Sequence, residues 1–347
     1  MDKMRTIIAV ILGCLPFMSQ AQSTELTCWT IKGEQMKLTV EDNILEIPDG
    51  IAAIDLCGME AITLDRSSAN PNCLYYTDES TSVEGLPNAN VVCDGVCEGL
   101  LLTDDACFYC PIAFFATDAM LRYTPRYDDG EVGVDTDFNQ PCNETVFLPF
   151  DADFVIPEDV NGPMPDGWLQ MAKFHGFDDN MLVFYQSYEE CLKANTPYLV
   201  TFAFGAYGTQ ILFCGQDKTV EETAAASADE GLYNFEGITI SEDERPGYYR
   251  YYRGEEPFFI HYGDEMPMEP FRCFIVSSDE IDEPSGEETD TCGKTLGYAV
   301  IGDNLDGIDT RNRQRSSKAC YDLQGRQMPD GNRSRGIFIS GGVKVIK

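Results

Sequence analysis

Cations, histidines and helical periodicity are all scarce in this 347-residue chain. It has 24 Lys and Arg against 59 Asp and Glu, a formal net charge of −35. A field of that sign repels nucleic acid and anionic membrane, so the body is expected to partner neither. The two histidines, His175 in KFHGF and His261 in FIHYG, sit in aromatic, strand-like surroundings. Nucleophilic catalysis of the Ser-His-Asp or Cys-His kind needs a histidine oriented by a third group, and no serine stands in a G-x-S-x-G turn. No catalytic residue is therefore expected, and no enzyme. Past the first twenty or so residues no apolar run approaches the ~18 needed to cross a bilayer as a helix. Helical spacing is weak and confined to SYEECLKAN and TVEETAAASADEG.

The first residues, MDKMRTIIAVILGCLPFMSQAQ, have a cationic start, an apolar run from Ile7 to Met18 and a small-x-small site at Ser19-Gln20-Ala21. That pattern predicts a secretory signal peptide over 1–21, and hence a secreted or outer-surface protein. Charge then divides the remainder. Residues 310–347 carry nine Lys or Arg against Asp322 and Asp330, while the chain before them is intensely acidic. The break marks a boundary.

The intervening chain reads as strands. QMKLTV, TVFLPF, MLVFYQ, YLVTFAF, QILFC, YYRYYR, FFIHY and FRCFIV are short and rich in aromatic and β-branched residues, and Gly, Pro, Asn or Asp separates them. The expected fold class is all-β. It comprises an antiparallel β-sandwich body over 76–276, a degenerate leucine-rich-repeat-like cap over 22–75 and a small C-terminal β-module over 292–347. The cap rests on one L-x-x-L-x-L-like spacing at Ile51, Ile54 and Leu56, where a solenoid needs about three repeats. Between body and module, residues 277–291 (SSDEIDEPSGEETDT) hold seven acids and no base, as a solvated linker would.

Fourteen cysteines are present, one of them within the signal. Cys93, Cys97, Cys107 and Cys110 have C-x3-C-x9-C-x2-C spacing, at which four thiolates can close a zinc tetrahedron. In an exported chain two local disulfides are the expectation, with no metal and no cofactor. The carboxylate pairs TDD (103–105), DTD (135–137) and DAD (151–153) have no specificity for glycoside hydrolysis in so acidic a chain. GDNLDGID (302–309) resembles a calcium loop, but Arg313 stands where the bidentate Glu belongs. Tyr249, Tyr251 and Phe259, in GYYRYYRGEEPFFIHYG, are a candidate ligand face, since flat rings stack on sugars and peptides; the alternative is an ordinary strand pair with one aromatic side buried.

Several segments together resemble a family. SSANPNCLYY (67–76), ANVVCDG (89–95), LLLTDDACFYCPIAFFATDAMLRYT (100–124), ETVFLPFDADF (144–154), KANTPYLVTF (193–202) and MEPFRCFIV (268–276) look like secreted BspA-like surface proteins of Bacteroidetes. Those proteins carry leucine-rich repeats ahead of such a β-domain. The end of the chain, YDLQGR followed by GIFISGGVKVIK, is similar to the C-terminal domains read by the type IX secretion system. By that resemblance Tyr321, Leu323, Gly325, Arg326, Gly336, Ile337, Gly342 and Lys344 form a sorting motif recognised by export machinery. From the residues alone, the PDGN turn and the apolar alternation at Ile337, Ile339, Val343 and Val345 predict a terminal hairpin. The combined expectation is a non-enzymatic, adhesin-like or ligand-binding surface protein whose partner is a host or environmental protein or glycan. The alternative is a domain acting on extracellular glycans.

Overall fold

A computed structural model describes residues 24–125, 142–158, 168–178, 181–202, 210–224, 232–243, 247–252, 258–261, 267–277 and 294–302, and the strand segments 320–321, 327–328, 337–340 and 343–346. The protein is all-β: among the described residues there is no helix, and none long and apolar enough to cross a membrane.

The N-terminal hairpin is β1 (Glu25–Thr30) and β2 (Gln35–Thr39). Six short strands follow: β3 (Ile44–Glu46), β4 (Ile51–Asp55), β5 (Glu60–Asp65), β6 (Leu74–Thr77), β7 (Ser82–Glu84) and β8 (Val91–Cys93). The chain alternates between two parallel ladders, β3-β5-β7 and β4-β6-β8, so these strands make three coils of a solenoid. Its interior holds Leu45, Ile47, Ile51, Ile54, Leu56, Ile62, Leu64, Cys73 and Tyr75. The Ile51/Ile54/Leu56 spacing therefore marks the first coil and not an isolated remnant. The coils are unequal: Ala53 lies beside Leu74, but Tyr75 lies beside Val91. An irregular period leaves no repeat for the eye to find.

Buried asparagines fasten these coils to the next strands, β9 (Val96–Thr103) and β10 (Phe114–Tyr123). The Asn72 side chain donates to the carbonyls of Thr103 (2.8 Å) and Ala106 (2.7 Å) and accepts from Thr103 N–H (2.9 Å). Asn90 does the same with Leu101, accepting at 2.7 Å and donating at 3.0 Å. Buried backbone groups need such partners. The β8–β9 connection is the two-residue turn Asp94-Gly95, both with positive φ, the geometry that matches strand twist.

The remaining strands of the body are β11 (Cys142–Val146), β12 (Phe154–Pro157), β13 (Leu169–Asp178), β14 (Met181–Ser187), β15 (Tyr198–Phe202), β16 (Ile211–Val220), β17 (Tyr233–Ile238), β18 (Glu242–Asp243), β19 (Tyr248–Tyr252), β20 (Phe258–His261), β21 (Pro267–Met268), β22 (Arg272–Ser277) and β23 (Lys294–Ile301). Two nine-stranded sheets result. The first runs β12-β16-β10-β9-β8-β6-β4-β1-β2, continuing one wall of the solenoid. The second runs β11-β15-β13-β14-β23-β20-β19-β22-β17 and curls towards a barrel. Across that closure the Thr145 hydroxyl donates to Cys273 O and accepts from Cys273 N–H, while Phe147 N–H donates to Phe271 O.

Two cores follow from this curl. Leu102, Leu121, Tyr123 and Phe213 of the first sheet meet Val146, Met171, Tyr198, Val200 and Phe202 of the second in one cluster. Inside the curl Ala172, Leu182, Phe184, Leu199, Phe235, Tyr249, Tyr251, Phe259, Cys273 and Tyr298 form another. Neighbouring residues thus face different cores: Met171 and Val200 one way, Ala172 and Leu199 the other. That is why YLVTF reads as almost continuously apolar, since both of its faces are covered. Gly237 is required on β17, because a Cβ there would fall within the Phe147 ring.

One buried charge ties the sheets together. Arg272 of β22 donates through Nη2 to Asp104 Oδ2 (2.8 Å) and to Thr124 O (2.9 Å), both at the end of the first sheet. Its guanidinium lies 3.7 Å from the centre of the Tyr123 ring. Glu269 Oε2 approaches Nε at 3.5 Å, and Glu144 Oε2 approaches Nη1 at 3.7 Å. Burial pulls the Arg272 pKa down to about 10 despite Asp104.

The last four strands, β24 (Cys320–Tyr321), β25 (Gln327–Met328), β26 (Ile337–Ser340) and β27 (Val343–Ile346), form a separate sheet in the order β25-β24-β26-β27. β23, within the stretch 292–347 set apart on sequence, pairs instead with β14 and β20 of the body. The acidic stretch consequently connects β22 and β23, two strands of one sheet. Its own residues beyond Ser277 lie outside the described ones.

The position of β23 fixes where the body ends. It buries Leu296, Tyr298 and Ala299 in a central strand. Two such large side chains contribute about 3–6 kcal/mol, a large part of a typical total of about 5–15 kcal/mol. A chain ending at Gly302 is expected to melt within a few degrees of the full chain, and one ending at Ser277 to lose its cooperative transition. Calorimetry of the two truncations checks this; equal melting of both would contradict it.

Candidate functional site

Tyr249, Tyr251 and Phe259 do not form a ligand face. They are 0%, 2% and 0% exposed and lie inside the curled sheet, with the Tyr251 and Tyr298 hydroxyls 3.0 Å apart. Alternation in YYRYY and FFIH is real, but curling of the sheet turns these rings inward. The His175 ring lies tilted against Tyr185 at 4.4 Å, and His261 against Tyr249 at 5.9 Å.

Among the described residues no disulfide joins Cys93, Cys97, Cys107 and Cys110, the four expected to bridge. In the β8–β9 hairpin Cys93 pairs with Val96 and Cys97 with Val92. Adjacent rungs point to opposite faces, so Cys93 is exposed and Cys97 buried. Cys110 lies beneath the Tyr76 hydroxyl, and Cys107 Sγ accepts from Ser241 N–H at 3.2 Å. Burial pushes Cys110 up to about 12 and raises Cys97 and Cys107. No group of three or more His, Cys, Asp or Glu among the described residues is arranged to hold a metal ion.

In the tail, Tyr321 lies on β24, Ile337 on β26 and Lys344 on β27, with Tyr321 opposite Ile339 and Ile339 opposite Lys344. Leu323, Gly325, Arg326, Gly336 and Gly342 lie outside the described residues, as do 303–309 of the calcium-like loop.

Among the described residues, two surface concavities have room for a ligand group. The cavity beside Arg272, about 20 Å³, has room for a single water. The better built of the two lies where β12 meets the start of β13: a groove of about 180 Å³ lined by Phe154, Val155, Trp168, Met171, Glu190 and Cys191, with Asp153 at its rim. Trp168 anchors the floor against Phe202 at 5.2 Å and is 3% exposed. Phe154 stands 47% exposed. The loop 188–194 forms the opposite lip and is pinned by Ala152 N–H donating to Leu192 O at 2.9 Å.

The rim is a chain of paired charges. Lys218 Nζ donates to Asp153 Oδ1 (2.6 Å), and Gln216 N–H donates to its other oxygen (2.9 Å). Lys193 Nζ donates to Asp151 Oδ2 (3.0 Å), and Ala194 N–H donates to Oδ1 (2.7 Å). Lys173 Nζ and the Tyr198 hydroxyl donate to the two oxygens of Glu189 at 2.7 and 2.6 Å. The Lys218 hydrogen bond holds Asp153 below its ordinary 3.8, and Lys173 holds Glu189 below 4.5. For Asp151 burial pushes upward, but the Ala194 and Lys193 bonds outweigh it and the net shift is down. These carboxylates are fixed acceptors, ionised at neutral pH. A general acid needs the opposite shift.

Sequence reasoning noted DAD at 151–153 but could not single it out. Trp168, Phe154, Glu190 and Cys191 were missed, because they converge only through the fold. Comparison with family models, curated proteins and solved structures returned no match.

The thiol geometry makes a direct expectation. Brief alkylation of the native protein at pH 8 should modify Cys93 at least tenfold faster than Cys97 or Cys110, read by peptide mass spectrometry. A Cys93–Cys97 disulfide, or equal labelling of all three, would contradict it.

Proposed function

We propose that the protein is an exported, surface-associated, non-enzymatic binding protein of the BspA-like kind, and that the β12 groove receives a glycan terminus or a small protruding group of a protein. The observation that carries this reading is the groove's construction: an exposed aromatic (Phe154) over a buried one (Trp168), framed by carboxylates already committed as acceptors. Aromatic faces stack on the apolar side of a sugar ring, while ionised carboxylates accept its hydroxyls. In this reading the two sheets act as a β-sandwich scaffold that holds the groove rigid. The C-terminal sheet acts as an address for type IX export, consistent with β24 pairing to β26 as a Y-x-L-x-G-R strand would pair with G-I-F-I.

A domain acting on extracellular glycans is the alternative, and Asp153 with Glu190 in one groove is what favours it. The Lys218 bond weighs against Asp153 as a proton donor. The mature protein and its Phe154→Ala variant should be probed on glycan and host-matrix arrays. The expected result is a defined set of ligands that bind at least tenfold more weakly to Phe154→Ala, with no product released. No ligand, or binding indifferent to Phe154, would overturn the reading. Turnover abolished by Glu190→Gln would replace it with the alternative.

A further inference from the structure

The second concavity lies on a different part of the first sheet, above the β8–β9 hairpin. It measures about 360 Å³ and is lined by Leu86, Pro87, Ala89, Val91, Cys93 and Val96. Val96 faces Cys93 across one ladder and Phe115 across the other, so three apolar side chains stand in a row on an exposed face. Val96 is 43% exposed and Phe115 39%. Solvated apolar side chains contiguous with a concavity mark an interaction surface.

Charge says what kind of partner fits. From Ser67 to Leu121 the sequence contains eight Asp or Glu and not one Lys, Arg or His. This is the stretch that builds β6 to β10. Glu98 lines the concavity and Asp94 stands in the turn between Cys93 and Val96; both are exposed and form no ion pair within the described residues. The β12 groove differs: lysines pair with Asp151, Asp153 and Glu189 around it. An apolar floor inside an unneutralised acidic rim is complementary to a short apolar core flanked by cations. Lys and Arg can lay their methylenes along such a floor and keep the charge at the rim.

We propose that this face docks a basic segment of a partner protein, with a few apolar residues between lysines or arginines. The apolar row supplies contact, and the rim supplies orientation and association rate. Nucleic acid and acidic glycans are excluded by the same charge.

The test uses the full chain and two fluorescent peptides, Lys-Lys-Val-Phe-Val-Lys-Lys and Lys-Lys-Ser-Ser-Ser-Lys-Lys, titrated at low and physiological salt. The apolar-core peptide should bind at least tenfold more tightly than the serine one. Val96→Ser with Phe115→Ser should remove that advantage. Glu98→Lys should weaken both peptides at least fivefold at low salt. These positions are exposed, so thermal melts should stay close to that of the parent. Equal affinity for the two peptides, or indifference to the Val96 and Phe115 changes, would reduce the effect to bulk charge and overturn the proposal. Self-association of the parent that vanishes in Val96→Ser/Phe115→Ser would give the face to a second copy and overturn it as well.

Discussion

Everything in the body depends on how one guanidinium is held. Arg272 is fully buried between the two sheets, where an unpaired cation would be prohibitive. Asp104 and Thr124 O neutralise and bond it from the first sheet, Glu144 and Glu269 draw close from the second, and the Tyr123 ring covers its face. The Tyr123 hydroxyl in turn lies 2.9 Å from Thr145 O, and Thr145 bonds Cys273 where the second sheet closes. An apolar contact would bury area in many registers. The Nη2 bonds to Asp104 and Thr124 O form in one, so they tie the mutual position of the sheets to the place of Arg272 on β22.

Much of the fold was legible because its causes are local. Period-2 alternation and aromatic or β-branched composition give strands. What was illegible depends on distance. Asp104 and Arg272 are 168 residues apart, so no window of sequence shows them as a pair. The solenoid escaped notice because its coils differ in length and its inward residues are a mix of Leu, Ile, Cys and Tyr. Asn70, Asn72 and Asn90 are each buried and bond backbone from a distant segment, a role that no local pattern displays.

The candidate sites failed or succeeded for the same reason. The Tyr249, Tyr251 and Phe259 rings alternate as a binding face would, but alternation cannot say which face is closed off. The cysteine spacing suggested local bridges, and only the register of the β8–β9 hairpin puts Cys93 and Cys97 on opposite faces. The two surfaces that remain open are both built from segments far apart in sequence. One has lysine-paired carboxylates around aromatic rings; the other has acids without an ion pair among the described residues around an apolar row.

The central claim is that the Arg272–Asp104 pair couples the two sheets. A double-mutant cycle in urea, with Arg272→Met, Asp104→Leu and the combination, measures that coupling directly. Each single change should lower stability by about 3–5 kcal/mol, because it strands a buried charge. The double variant should lose well under the sum, with a coupling of at least about 2 kcal/mol. Single effects below about 1 kcal/mol that simply add would contradict the account, leaving the sheets held by apolar packing alone.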